Sequence, residues 1–286
     1  MNMAGYLRLL FLAAVWGSSF LFMRLAVPVV GAGTVVFSRL VLASVFLTVV
    51  CRLAGQPLLW RQYWRNYLLL GLLNTGLPFL LFGLAAERLP AGLLSILNAT
   101  TTLWGTVVGA IWARSGLTPL TVAGLALGFL GVAGLAGLDP AAVQQGAPVA
   151  ILCGLTATLC YGLGATATRF GPKIPPLATA QGSVGAATLM VLPVLWLDPP
   201  HMVPGPTVLA ALLALGLLCS GVAYMIYFDL LARYRAQQVL SVAFLIPLFG
   251  LLWGCLFLGE QVGWSTLWGG AAVLGGTALV NRAQRT

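Results

Sequence analysis

The chain has 286 residues, of which 60% are hydrophobic and only 7% charged. A soluble domain carries about a quarter charged residues; no soluble fold covers this much apolar surface, so lipid is the expected solvent. The net charge of +9 matches nucleic acid in sign, but arginines gathered in short breaks between apolar runs belong to a membrane topology, and no nucleic-acid partner is expected.

A membrane-spanning helix needs about 20 mostly apolar residues. Ten segments meet that pattern in chain order: Leu7–Ala26, Gly33–Leu53, Tyr67–Ala86, Leu93–Ala113, Leu120–Leu138, Val149–Arg169, Leu177–Leu197, Val208–Leu231, Val239–Leu258 and Trp264–Val280. The breaks between them carry Gly, Pro and charge, as at 55–66, 139–148 and 198–206. None is long enough for a soluble domain, so the expectation is a single membrane domain over 1–286. The first segment lacks a clean signal-peptide cleavage site and reads as a structural helix.

The basic residues orient the chain. With the N-terminus in the cytoplasm, Arg8, Arg52, Arg61, Arg65, Arg114, Arg169, Lys173, Arg233, Arg235, Arg282 and Arg285 fall inside. Arg24 and Arg88 fall outside, and Arg39 lies within a span. This bias predicts both termini in the cytoplasm of a bacterial-type inner membrane. Four of the five acidic residues, Glu87, Asp139, Asp198 and Glu260, then fall outside.

The sequence also repeats itself. The stretch 95–136 returns 145 residues later as 240–281: Leu103, Gly105, Gly109, Gly124 and Gly131 fall on Leu248, Gly250, Gly254, Gly269 and Gly276. Trp16 meets Tyr161, Gly17 meets Gly162, Arg24 meets Arg169 and Gly71 meets Gly216 at the same offset. A constant offset argues for duplication of nearly half the chain, giving halves 1–140 and 146–286. Five spans per half is odd, so the second copy enters the membrane upside down. Inverted repeats of this kind are built around a midplane substrate site in secondary transporters. The predicted fold class is therefore an all-α polytopic membrane protein of ten transmembrane helices in two inverted five-helix repeats.

At this point the chain resembles the drug/metabolite transporter superfamily in its EamA-type branch. Trp16-Gly17-Ser18-Ser19-Phe20 in the first span, Pro247-Leu248-Phe249-Gly250 in the ninth, Leu258-Gly259-Glu260 after it and Gly269 in the tenth carry the resemblance. The first half departs from the pattern, with Thr102 in place of Pro247 and Arg114-Ser115 in place of Gly259-Glu260. The resemblance implies a central cavity lined by the first four helices of each half and the export or exchange of small metabolites. Within the branch the chain resembles YddG-like exporters of aromatic and other neutral amino acids, and it is the resemblance that suggests this substrate.

The residues themselves offer candidates. Asn74, Pro78 and Phe82 are spaced to share a helical face, as are Asn98 and Thr101. The second half offers Tyr161, Tyr224, Tyr227 and Phe244, and Phe79 and Phe82 are the repeat partners of Tyr224 and Tyr227. Together they would form an aromatic, mildly polar pocket of the kind that takes small molecules; the plainer alternative is helix packing. Pro78 and Pro247 read as hinges or as static kinks. Arg39 reads as snorkelling outward or pairing with Glu87, with attraction of a substrate carboxylate as the second reading. Asp229 is expected to pair with Arg233 one turn on, and the glycines of the fifth and tenth spans to permit close packing.

No catalytic, metal or cofactor constellation is visible: the single histidine, His201, lies in a loop, and no Walker loop, HExxH pair or paired buried carboxylate is present. The five cysteines, Cys51, Cys153, Cys160, Cys219 and Cys255, sit in or beside apolar runs and read as packing residues. The expected partners are a small-molecule substrate and the bilayer. The rivals are a multidrug exporter of the same fold, disfavoured because no carboxylate lies deep in a span, and a membrane-bound enzyme. With no titratable carboxylate or histidine at mid-membrane, transport is expected to run without a stoichiometric proton.

Overall fold

The computed structural model describes residues 2–137, 146–234, 238–239 and 241–283; Asp139, Arg235 and Arg285, used above for topology, lie outside them. The described chain is helical throughout. Helix α1 is Met3–Val30, α2 Ala32–Leu53, α3 Trp60–Gly71, α4 Leu77–Ala86, α5 Ala91–Ala99, α6 Thr101–Ala113 and α7 Pro119–Gly137. In the second half, α8 is Ala147–Phe170, α9 Pro176–Val191, α10 Val194–Leu197, α11 Pro206–Leu213, α12 Ala223–Arg233, α13 Val242–Leu258 and α14 Trp264–Ala283.

Among the described residues, seven helical stretches are long and apolar enough to cross a membrane, α3–α4, α5–α6, α9–α10 and 206–227 each counting as one. The 119–135 stretch of α7 and helix α13 are shorter apolar helices. Trp112, Trp196, Trp264 and Trp268 are exposed near helix ends, the place of an interfacial aromatic belt. Leucines such as Leu130, Leu163 and Leu252 are exposed further in, as on a lipid-facing surface.

Local chemistry sets the ends. Pro119, Pro176 and Pro206 open their helices, where the missing N–H is no loss. Gly31, at φ 80° and ψ 154°, turns the chain from α1 into α2. The third segment begins earlier than expected: the polar stretch from Trp60 is already helical, entered through Leu59 at φ 50° and kinked at Tyr63. Its tryptophans, tyrosine and arginines are adequate helix formers, and apolarity alone had placed the boundary at Tyr67. The fourth segment divides at Thr100, whose hydroxyl donates to the Leu97 carbonyl at 2.7 Å and meets the Thr158 hydroxyl at 2.9 Å. The seventh divides at Pro193.

Two turns widen to π geometry, Leu72–Gly76 between α3 and α4 and Ala214–Val222 between α11 and α12. The repeat offset carries the first into the second. Pro78 follows the first turn, where its ring would clash with the carbonyl four residues back; Ala223 stands in its place after the second. Proline is therefore not the common cause. Each turn has a hydroxyl bonded to its own backbone, Thr75 to Gly71 at 2.8 Å and Ser220 to Leu215 at 3.0 Å, and Thr75 and Ser220 are themselves repeat partners.

Packing follows the same offset. A Cβ on Gly17 of α1 would lie 3.0 Å from the Gly250 nitrogen of α13, and one on Gly162 of α8 would lie 2.8 Å from the Gly105 nitrogen of α6. Gly71 abuts Ser183 and Ala187 of α9, while Gly216 abuts Leu42 and the Arg39 carbonyl of α2. In each case a helix of one half packs on a helix of the other, and adding 145 to one residue leads to the exchanged contact. Three pairs of glycines thus allow close backbone approach between halves, the usual means of helix association in lipid.

Candidate functional site

A cavity of about 1050 Å³ lies between the two halves. Half of its lining falls in offset pairs: Trp16 and Tyr161, Phe20 and Ala165, Met23 and Thr168, Asn74 and Cys219, Phe79 and Tyr224, Phe82 and Tyr227, Asn98 and Ala243, Thr101 and Ile246. Trp16 packs on Tyr227 with ring centroids 5.4 Å apart and on Tyr224 at 6.4 Å. Phe82 bridges Phe20 at 5.6 Å and Tyr161 at 6.3 Å. The Trp16 indole N–H donates to the Cys219 carbonyl at 3.2 Å, within the π turn, where the backbone ladder is loosened. The walls at the centre are thus aromatic, with Ser19, Asn74, Thr75, Asn98, Thr101 and the tyrosine hydroxyls among the polar groups of the lining.

Of the ten residues expected at a site, the structure brings Asn74, Phe79, Phe82, Asn98, Thr101, Tyr161, Tyr224 and Tyr227 to this cavity. Pro78 and Phe244 stand outside its lining. The π turn explains Pro78: a spacing of four puts Asn74 and Pro78 on one face of an α-helix, but the widened turn adds a residue, so Phe79 stands over Asn74. The second half obeys the same count, with Cys219, Tyr224 and Tyr227 five and then three residues apart. Phe244 is one position past Ala243 on α13, about 100° around the helix, and Ala243 and Ile246 take the cavity side. Phe20 and Met23 were not singled out from the sequence. Their spacing from Trp16, four and seven residues, was the available signal.

Arg39 corrects the expectation of a side chain that snorkels outward or pairs with Glu87. It is 7% exposed and lines the cavity. Its Nε donates to the Ser220 hydroxyl at 2.8 Å, and its guanidinium lies over the Phe79 ring at 3.9 Å. The close contact of Gly216 with Leu42 and the Arg39 carbonyl presses α2 onto the second π turn and turns the arginine inward. Asp229 does pair with Arg233, at 2.7 Å, and also with Arg8 at 2.6 Å.

The cavity runs from the aromatic centre past Thr106 and Gly109 of α6, Thr168–Phe170 of α8 and Thr179 of α9 to Asn281 of α14. At the other end carboxylates bind helix starts. Glu260 accepts the Ala91 and Gly92 amides at 2.7 and 3.2 Å, and Asp198 accepts the Gly33 amide at 2.7 Å. Such bonds satisfy donors that a helix start leaves free. Arg24 holds the Ala86 carbonyl at 2.8 Å at this end. Among the described residues, no three His, Cys, Asp or Glu side chains gather to hold a metal ion.

The chain matches the EamA-like transporter family twice, over residues 3–137 and 148–282. The chain belongs to this family, and it is a multi-pass membrane protein of the transporter class. It is similar to the uncharacterized transporter YvbV of Bacillus subtilis, 25% identical over 96% of this chain and 90% of the relative. It is also similar to a probable terminal-alkyne amino-acid exporter of Streptantibioticus cattleyicolor, 26% identical over 93% and 90% of the two chains. A solved crystal structure at 18% identity superposes with a TM-score of 0.67, covering 100% of this chain and 99% of the other, a likeness of fold.

Proposed function

We propose that the protein exports small neutral metabolites, aromatic and other neutral amino acids among them, by alternating access through the central cavity. Ten spans form two inverted five-helix repeats, 1–140 and 146–286, with both termini in the cytoplasm. On this orientation the cavity is open to the cytoplasm and closed outside by the bonds of Glu260 and Asp198. The observation that carries the reading is the paired part of the lining: a centre to which each half contributes eight offset-related residues can be exposed to either side by rocking one half against the other. The aromatic walls with hydroxyl and amide groups beside them suit an amino acid with an apolar side chain, and one relative carries the name of an amino-acid exporter.

The reading is tested in proteoliposomes preloaded with unlabelled amino acids and offered labelled phenylalanine, tryptophan, leucine, lysine and glutamate outside. Counterflow of the neutral members is the expected result. Counterflow of none of the five overturns the substrate, and counterflow of lysine before the rest favours a cation exporter instead.

A further inference from the structure

Around the cavity the two halves differ in charge. The position 145 residues after Arg39 is Val184, buried at 1% exposure. The charged residues of the lining are Arg39 and Arg169, with no aspartate or glutamate among them. No carboxylate among the described residues comes within ion-pair distance of Arg39; the described ion pairs involve Arg8, Arg24, His201 and Arg233. Phe79 and Ser220 stabilise the guanidinium by cation–π contact and a hydrogen bond, but neither carries charge. A buried cation without a counter-ion is costly, and an ionisable group at this depth marks a ligand path.

We propose that Arg39 anchors the carboxylate of the transported molecule, and that this carboxylate, not an amine, is the charge the cavity recognises. The inference rests on the transport reading and adds to it the charge by which the site selects its ligand. A guanidinium pairs a carboxylate through two parallel N–H···O bonds. With Nε already given to Ser220, the terminal nitrogens are the ones left to meet the ligand. The apolar part of the ligand then lies against the Trp16, Phe82 and Tyr161 rings. An ammonium finds at most hydroxyls, amides and ring faces, so organic acids without an amine bind as well as amino acids, and amines without an acid do not bind.

The test uses the full chain with its native cysteines replaced by alanine and Thr101→Cys introduced as a cavity reporter. Modification by N-ethylmaleimide is timed with 3-phenylpropionate, phenethylamine or sodium chloride at equal concentration. Phenylpropionate is expected to slow the reaction and the other two to leave it unchanged. Arg39→Gln should raise the phenylpropionate concentration needed for protection at least tenfold, and Arg39→Lys, which keeps the charge but loses the fork, by less. Protection by phenethylamine equal to that by phenylpropionate, or none by phenylpropionate, overturns the proposal; the comparison on the reporter chain alone decides this even if Arg39→Gln fails to fold. Equal protection by chloride assigns the arginine to inorganic anions and also overturns it. Amino-acid counterflow is measured on the same preparations. Protection without counterflow keeps the carboxylate site and removes the exporter reading; counterflow unchanged by Arg39→Gln does the reverse.

Discussion

Gly124 of α7 lies against Gly276 of α14, so close that a Cβ on Gly124 would stand 2.8 Å from the Gly276 carbonyl oxygen. Gly131 meets Gly269 in the same way, also at 2.8 Å. The repeat carries 124 onto 269 and 131 onto 276, so each glycine touches the partner of the other. The two helices therefore run antiparallel across a local two-fold relation. Gly276→Ala should destabilise the protein by about 1–3 kcal/mol, since the new methyl meets backbone, which cannot turn aside. Gly134→Ala, in the same α7 but with nothing within 4 Å, should be neutral or stabilise by up to ~1 kcal/mol. Thermal unfolding in detergent compares the two, and equal shifts would mean that the glycine contact does not hold the helices.

This relation was visible in the sequence as an offset, and so were the helical class, most helix limits and the aromatic character of the site. Three things were not. The π turns leave no compositional trace, so α-helical spacing puts Pro78 beside Phe79 among the candidates, although only Phe79 stands over Asn74. Helical spacing fixes which residues share a face but not which way the face points, and Phe244 fell one position off. The inward course of Arg39 depends on the contact between Gly216 and Leu42, a tertiary fact. Distance from the helix end had suggested the opposite course, outward to the surface.

Glu260 accepts the first amides of α5. Glu260→Gln keeps one acceptor and loses the charge, and should cost about 1 kcal/mol of stability. Gly254→Ala should cost at least as much, because its Cβ would collide with the Glu260 carboxylate. As both act on the same bonds, the double variant should be little worse than the worse single one. Additive losses in the unfolding midpoint would show that they act independently.

If the cavity is the substrate path and opens to the cytoplasm, access should follow its lining. Thr101→Cys should react with a membrane-impermeant thiol reagent in inverted membrane vesicles, and Phe244→Cys, outside the lining, at least about tenfold more slowly, because a thiol away from the aqueous path forms little of the reactive thiolate. Equal rates would place the path elsewhere. Faster reaction of Thr101→Cys in right-side-out vesicles would reverse the orientation.

The last expectation concerns energy. A proton-coupled carrier needs a group that titrates within its path. The lining carries neither carboxylate nor histidine, and its two charged side chains are arginines, which do not give up a proton in proteins. Asp229 is held by Arg8 and Arg233 and is part-exposed, Glu260 is spent on helix amides, and Asp198 pairs with His201 at 2.9 Å. The expected behaviour is facilitated export or exchange down the substrate's own gradient, sufficient for a metabolite that accumulates inside the cell. Proteoliposomes with equal phenylalanine on both sides and an imposed pH gradient should show no net movement of label. Accumulation driven by that gradient alone would contradict the expectation, and the variants to make next would be Asp229→Asn and Glu260→Gln.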